Sequence, residues 1–342
     1  MPTILTIQEK TGSKIVAQNL IFVKNSMMKG PFEVIKQLMY LLFVILGGML
    51  LAWLLTIFVL LATYSFDLVK AMEQSGRLLE DTGLLRLTQA IQSFSLFVLP
   101  PFFMALLNKE KPVSYLGLQR PNGRALVLGI LSIVTAIPLI NVLVSWNEGL
   151  HLPAGLEGVE AWMRQSEATA TALTEQMLSG TSWLDLTWSL LIIAILAGFG
   201  EELFFRGLLQ QWLGRLLGRK QRVMMGQTPD WVKHLSIWVV AFVFSAIHLQ
   251  FFGFFPRLLL GAWFGYLLWW SGSVWVPVAA HMTNNALSAL FLFAENKGWL
   301  TGDPDNLGLE ASWWLSPLSL VALTALALLI RQGRKRESAT LI

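Results

Sequence analysis

A chain of 342 residues with 55% hydrophobic and only 13% charged side chains lacks the polar surface of a water-soluble fold, where about a quarter of residues are charged. Its mean hydropathy of +0.59 points to lipid as the solvent. The absence of cysteine excludes disulfides, thiolate metal ligands and a cysteine nucleophile. A net charge of +4 does not argue for a nucleic-acid partner, because the basic residues sit in short stretches between apolar runs.

Residues 1–36 carry Lys10, Lys14, Lys24, Lys29 and Lys36 and no early apolar stretch, so a cytoplasmic tail without a cleavable signal peptide is expected. Eight runs then approach the ~20 apolar residues a membrane-spanning helix needs. The first covers 38–64. The second, 84–107, is interrupted by Arg86, Gln89 and Gln92, and its Pro100-Pro101 pair is expected to kink or end it. A third covers 125–146. Residues 147–183 form the longest loop, in which Leu156, Val159, Met163 and Leu173 suggest either an amphipathic helix outside the bilayer or a solvated loop. Further runs cover 184–203, 235–255, 257–270 (short), 274–293 and 313–330. The fold class is therefore all-α, a polytopic membrane bundle of about eight helices.

Charge orients the bundle. The N-terminal tail, loop 108–124, loop 206–233 and the C-terminal tail are basic, whereas the intervening loops carry Asp67, Glu80, Glu148, Glu167, Glu295 and Asp305. Eight spans put every basic stretch on one side, and the positive-inside rule then makes both termini cytoplasmic in the cell membrane.

A charged side chain deep in a span costs roughly 2.5–3.5 kcal/mol on insertion scales, so each one calls for a reason. Glu201 and Glu202 end an apolar run, within Gly198-Phe199-Gly200-Glu201-Glu202-Leu203-Phe204-Phe205-Arg206. Adjacent helical side chains point ~100° apart, so the two carboxylates cannot share a role. Glu202 and Arg206 have the spacing and order of an internal ion pair. Glu201 has no such partner, and a carboxylate held away from water suits a general base near neutral pH. The alternative is that both glutamates snorkel to the cytoplasmic interface. Gly198 and Gly200 would admit a closely packed neighbour.

Phe244 and His248 share a helical face, as do His281 and Asn285. A histidine and an amide on one face can donate hydrogen bonds to a developing oxyanion, or simply bond neighbouring helices. Asn284 points elsewhere and reads as a structural amide. Together these positions put Glu, His, His and Asn on three helices, a set able to activate water or to hold a metal. Gly-x-Ser-x-Gly, His-Glu-x-x-His, an intramembrane Asp pair and a phosphate-binding glycine loop are all missing.

Glu201-Glu202…Arg206, Phe244…His248 and His281…Asn285, in that order, resemble the CPBP family, the CAAX-protease and bacteriocin-processing membrane proteins also called Abi proteins. The likeness covers roughly 184–293, which would be the catalytic core, with N-terminal helices at 37–183 and a last helix and basic tail at 294–342. It implies an intramembrane endopeptidase acting on a membrane-associated protein or peptide, with a site open to the cytoplasm. By the resemblance, Glu201 and His248 activate water and His281 and Asn285 hold the oxyanion. Glu202, Arg206 and Phe244 support them. It also allows a divalent metal such as Zn on Glu201, His248 and His281. A non-catalytic scaffold or bacteriocin-immunity protein of the same fold, and a transporter using Glu201 and His248 as a proton relay, are the rivals. Helix rise of ~1.5 Å per residue puts Glu201 near an inner helix end but His248 ~20 Å along its own helix. The two meet only if that helix starts after 235 or tilts strongly.

Overall fold

The computed structural model describes residues 30–73, 80–218, 228–300 and 304–340. Most of the expected 1–36 tail lies outside them, as do Arg219, Lys220, Arg222 and the side chains of Arg334, Lys335 and Arg336. The described residues contain helices and no strand. Eight long helices match the eight expected runs: α1 (Gly30–Thr63), α2 (Thr82–Leu107), α3 (Gly123–Glu148), then, after α4 (Glu157–Leu178), α5 (Trp183–Leu217), α6 (Asp230–Ala246), α7 (Phe254–Ser271), α8 (Trp275–Asn296) and α9 (Leu315–Thr340). Of these, α1, α2, α3, α5 and α9 are long and apolar enough to cross a membrane by length and composition. The chain is a multi-pass membrane bundle.

Three of the expected boundaries move, each for a physical reason. Pro100-Pro101 does not end α2. A π-helical turn over Ser93–Val98 precedes the pair, with the Leu99 N–H donating to Phe94 O, and the prolines fall in the first turn of the α segment that follows. The missing N–H groups thus meet a ladder already widened. α1 packs closely there, since a Cβ on Gly48 would lie 2.5 Å from Ser95 O. The 184–203 run continues to Leu217 as α5, so Arg206 and Arg215 are helical rather than in a loop, and the glutamate pair is central. The 235–255 run breaks after Ala246, where Leu249 adopts a left-handed φ of 53°. α6 begins at Asp230, earlier and not later than 235.

Residues 157–178 form a helix rather than a solvated loop. Its inward side is set by Met163, Glu167 and Leu173, whereas Leu156 and Val159, expected on that side, are exposed.

Helix ends meet at two opposite faces. At one, Asn147 at the end of α3 donates to Phe251 O (3.2 Å) and accepts from Phe255 N–H (2.8 Å), and Asn141 donates to Pro304 O (2.9 Å). At the other, the turn before α8 joins the loop before α3: Val274 N–H donates to Gly117 O (2.8 Å) and Ser273 Oγ to Gln119 O (2.6 Å).

Candidate active site

The glutamate pair lies on Gly198–Glu202, a short α segment between π-helical stretches Leu190–Ala197 and Leu203–Gln210. Such widened turns re-aim side chains within a helix. Gly198 lets α8 approach, since a Cβ there would meet Met282 N at 3.3 Å, and Gly200 faces Phe97 and Ser93 of α2.

The expected Glu202–Arg206 ion pair is present and wholly buried, Arg206 Nη1 donating to Glu202 Oε1 at 2.7 Å. Arg206 Nη2 also donates to Gly261 O of α7 at 2.8 Å, and the guanidinium lies 4.7 Å from the Phe244 ring centre and 5.3 Å from that of Phe264. Glu202 has a second partner, because its Oε1 lies 2.8 Å from His281 Nδ1. A carboxylate only accepts, so Nδ1 carries the proton, and the lone pair of a neutral ring is left on Nε2. That nitrogen faces Glu201 Oε2 at 3.8 Å, too far for a direct hydrogen bond. The two glutamates differ accordingly: the Glu202 side chain is 0% exposed and that of Glu201 15%. Neither ends its helix, since α5 continues to Leu217. Phe264 stacks on the His281 ring at 4.9 Å and 19°, which fixes its plane.

His248 lies just past the end of α6, on the 247–253 turn rather than inside a helix. Its Nδ1 donates to Phe244 O at 2.7 Å, which fixes the tautomer and leaves Nε2 to accept a proton. Phe244 packs edge-on against both imidazoles, at 5.0 Å from His248 and 6.0 Å from His281. The expected Phe244–His248 contact is therefore made, and Phe244 links the two rings.

Asn285 Nδ2 donates to Ile193 O in the first π stretch of α5 at 3.0 Å, leaving its second amide hydrogen for other use. Asn284 does not point away but donates to Asn285 Oδ1 at 3.2 Å. The three residues expected to hold a metal, Glu201, His248 and His281, are not gathered as a ligand set, and among the described residues no three His, Asp or Glu form one. With His281 Nδ1 on Glu202 and His248 Nδ1 on Phe244 O, only the two Nε2 atoms are directed for such a role.

Two elements of the site were not legible in the motifs. Arg257, on the first turn of α7, folds back so that its Nη2 donates to Gln250 Oε1 (2.8 Å) and its Nη1 to Gln250 O (3.3 Å). Its charge acts on both Glu201 and Glu167, and no carboxylate lies within ion-pair distance of it among the described residues. The 247–253 turn is held from outside the motif-bearing segment, by Asn147 and by Glu167, whose Oε2 accepts from Phe252 N–H at 2.9 Å. The only signal for Arg257 was a charge opening a short apolar run, and for Asn147 a polar residue ending one.

Residues 183–287, from the start of α5 into α8, match the family model described as type II CAAX prenyl endopeptidase Rce1-like. The matched segment includes all three motifs. The match says nothing of bacteriocin processing or of a metal. No curated protein and no solved structure matches the chain.

Proposed function

We propose that this chain, whose residues 183–287 match the family model of type II CAAX prenyl endopeptidases, is an intramembrane endopeptidase that hydrolyses membrane-associated protein or peptide substrates with Glu201 and His248 as its water-activating pair. One observation carries the reading: buried Glu202 anchors His281 through Nδ1, so that Glu201, 3.8 Å from His281 Nε2, makes no direct hydrogen bond among the described residues and keeps its carboxylate for water, while the tie of His248 Nδ1 to Phe244 O leaves that ring's Nε2 to accept a proton.

A water held by Glu201 and by Nε2 of His248 gives up a proton as its oxygen attacks the scissile carbonyl carbon. The new C–O bond turns the carbonyl oxygen into an oxyanion. The spare amide hydrogen of Asn285, and the Nε2–H of His281 when that ring is protonated, are the donors for it. The second His281 proton is taken from solvent before the attack and kept through turnover, and Glu202 stabilises that imidazolium, as a buried carboxylate does for a catalytic histidine. When the C–N bond breaks, the proton taken by Glu201 passes to the departing amine, and the enzyme is restored. As they stand, Glu201, His248 and His281 do not fit a divalent metal such as zinc, because the three are not gathered as a ligand set.

The test is cleavage of a quenched peptide by purified protein, with and without chelator. Glu201→Gln and His248→Ala are each expected to abolish cleavage while the protein stays folded. Full activity in either variant overturns the reading. Loss on chelation with recovery on adding zinc would assign the metal.

A further inference from the structure

We infer that the outer side of α7 carries a binding site for one anionic phospholipid, with its acyl chains in the groove between α3, α6, α7 and α9 and its phosphate against Lys233, His234 and Arg331. The inference does not depend on the proteolytic reading.

The groove comes first. It encloses about 400 Å3 and runs from Leu143, Pro256 and Leu320 at one end to Trp238, Tyr266 and Ala327 at the other. From Pro256 to Tyr266, α7 rises about 15 Å at ~1.5 Å per residue, half of a hydrocarbon core of about 30 Å. The groove is therefore about as long as one leaflet of acyl chains. Polar atoms in its wall are taken up within the protein. Thr324 Oγ1 donates to Leu320 O of its own helix (2.8 Å), Trp263 Nε1 donates to Ser132 Oγ (2.9 Å), and the Tyr266 hydroxyl lies 2.7 Å from His234 Nδ1. What faces a ligand along the groove is apolar.

The rim decides which lipid. Trp238 lies four residues after His234, and Ala327 four before Arg331. Each of these lining residues thus shares a helical face with a basic residue one turn nearer the basic-loop end of the bundle. Lys233 Nζ stands 5.1 Å from the centre of the Trp269 ring, and that ring packs edge-on against His234 at 4.9 Å. The carboxylate beside them is Asp230, bonded to Lys233 at 2.8 Å and 69% exposed, so it faces water. Lys233, His234 and Arg331 all act on it electrostatically. Three basic side chains therefore gather around one carboxylate, at the end of an apolar groove. An anionic headgroup supplies the further negative charge, whereas a zwitterionic one brings a cation of its own.

A phospholipid fits this groove better than the anchor of a substrate. The candidate site lies on the opposite side of α7, where Gly261 O accepts from Arg206 and Phe264 stacks on His281. A peptide hung from the groove would start with α7 between itself and Glu201. A resident lipid instead backs the helix that fixes Arg206 and His281.

The test mixes delipidated full-length protein in detergent with phosphatidylglycerol or with phosphatidylcholine of the same acyl length. Native mass spectrometry counts the retained lipid, and the thermal midpoint is followed in parallel. One phosphatidylglycerol per chain is expected, held about tenfold more tightly than phosphatidylcholine and raising the midpoint. Lys233→Gln combined with Arg331→Gln should erase the preference. Ala327→Trp, which fills the rim end of the groove, should weaken retention of phosphatidylglycerol by about tenfold with the charges intact. Both variants should keep the native midpoint without lipid, and Ala327→Leu replaces Ala327→Trp if the larger side chain lowers it. Equal retention of the two lipids, a preference that survives loss of both charges, or undiminished retention with the groove filled overturns the inference. So does a lipid-free dimer that Ala327→Trp dissociates, which would give the groove to a second copy. One-for-one displacement of phosphatidylglycerol by a prenylated peptide also overturns it, by giving the groove to a substrate's anchor.

Discussion

His281 donates its Nδ1 hydrogen to Glu202, a side chain with 0% exposure, at 2.8 Å. The same Glu202 oxygen is held at 2.7 Å by Arg206, so one carboxylate balances a buried guanidinium and orients an imidazole. Removing one member of a buried pair leaves an uncompensated charge and costs roughly 3–5 kcal/mol. Arg206→Ala and Glu202→Leu are each expected to lower the unfolding midpoint in detergent by a corresponding amount. Equal destabilisation by the two, with the double variant no worse than either, is the signature of a coupled pair. Additive losses would show that they act separately.

Glu201 is expected to behave in the opposite way. It makes no hydrogen bond among the described residues and meets His281 only at 3.8 Å, so Glu201→Gln replaces it isosterically at little cost to the fold. Loss of a general base lowers turnover by about 10²–10⁴-fold. The paired measurement is kcat against thermal midpoint: kcat should collapse while the midpoint holds. A midpoint falling as far as that of Arg206→Ala would make Glu201 a structural residue.

Much of this arrangement could be read from the sequence, because membrane helices announce themselves by length and apolarity. Each of the eight runs holds a long helix, five of them long and apolar enough to cross a membrane, and the Glu202–Arg206 spacing gave its ion pair. The failures have local causes. The stop after Ala246 is silent, since Ile247, His248, Leu249 and Gln250 include neither Gly nor Pro, and the turn is closed by tertiary bonds from Asn147 and Glu167 far away in sequence. The run to Leu217 was hidden because Arg206 looks like the start of a loop unless its partners Glu202 and Gly261 O are known. The Pro100-Pro101 pair misled because nothing in the residues reveals the π turn that accommodates it.

Asn147 gives a prediction outside the family-matched segment. It is 2% exposed and bridges Phe251 O and Phe255 N–H across the turn that bears His248. Asn147→Leu leaves both groups without that partner, at about 1–3 kcal/mol for each group left unsatisfied. Amide exchange over 247–255 is expected to speed up and cleavage to fall through displacement of His248. Unchanged exchange in that segment would show that the turn is held by Glu167 and Ser245 alone, Ser245 Oγ donating to Phe254 O at 2.7 Å.

The start of α4 should loosen with acid. Glu160 is held down to about 2 from the usual 4.5, first by the Leu152 N–H, then by Arg164 and His151. A carboxyl lowered on folding contributes stability that is complete above its unfolded value and is lost as pH falls through the folded one. The window therefore runs from about 4.5 down to about 2. Across it, amide exchange over 150–164, taken relative to the intrinsic rate at each pH, is expected to rise in the native chain. In Glu160→Gln, which lacks the titrating group, exchange should already be fast at pH 7 and change little with acid. A native chain whose exchange in this segment stays flat over the window would place the hold on α4 elsewhere, in the Trp162–Phe251 and Arg164–Phe252 contacts.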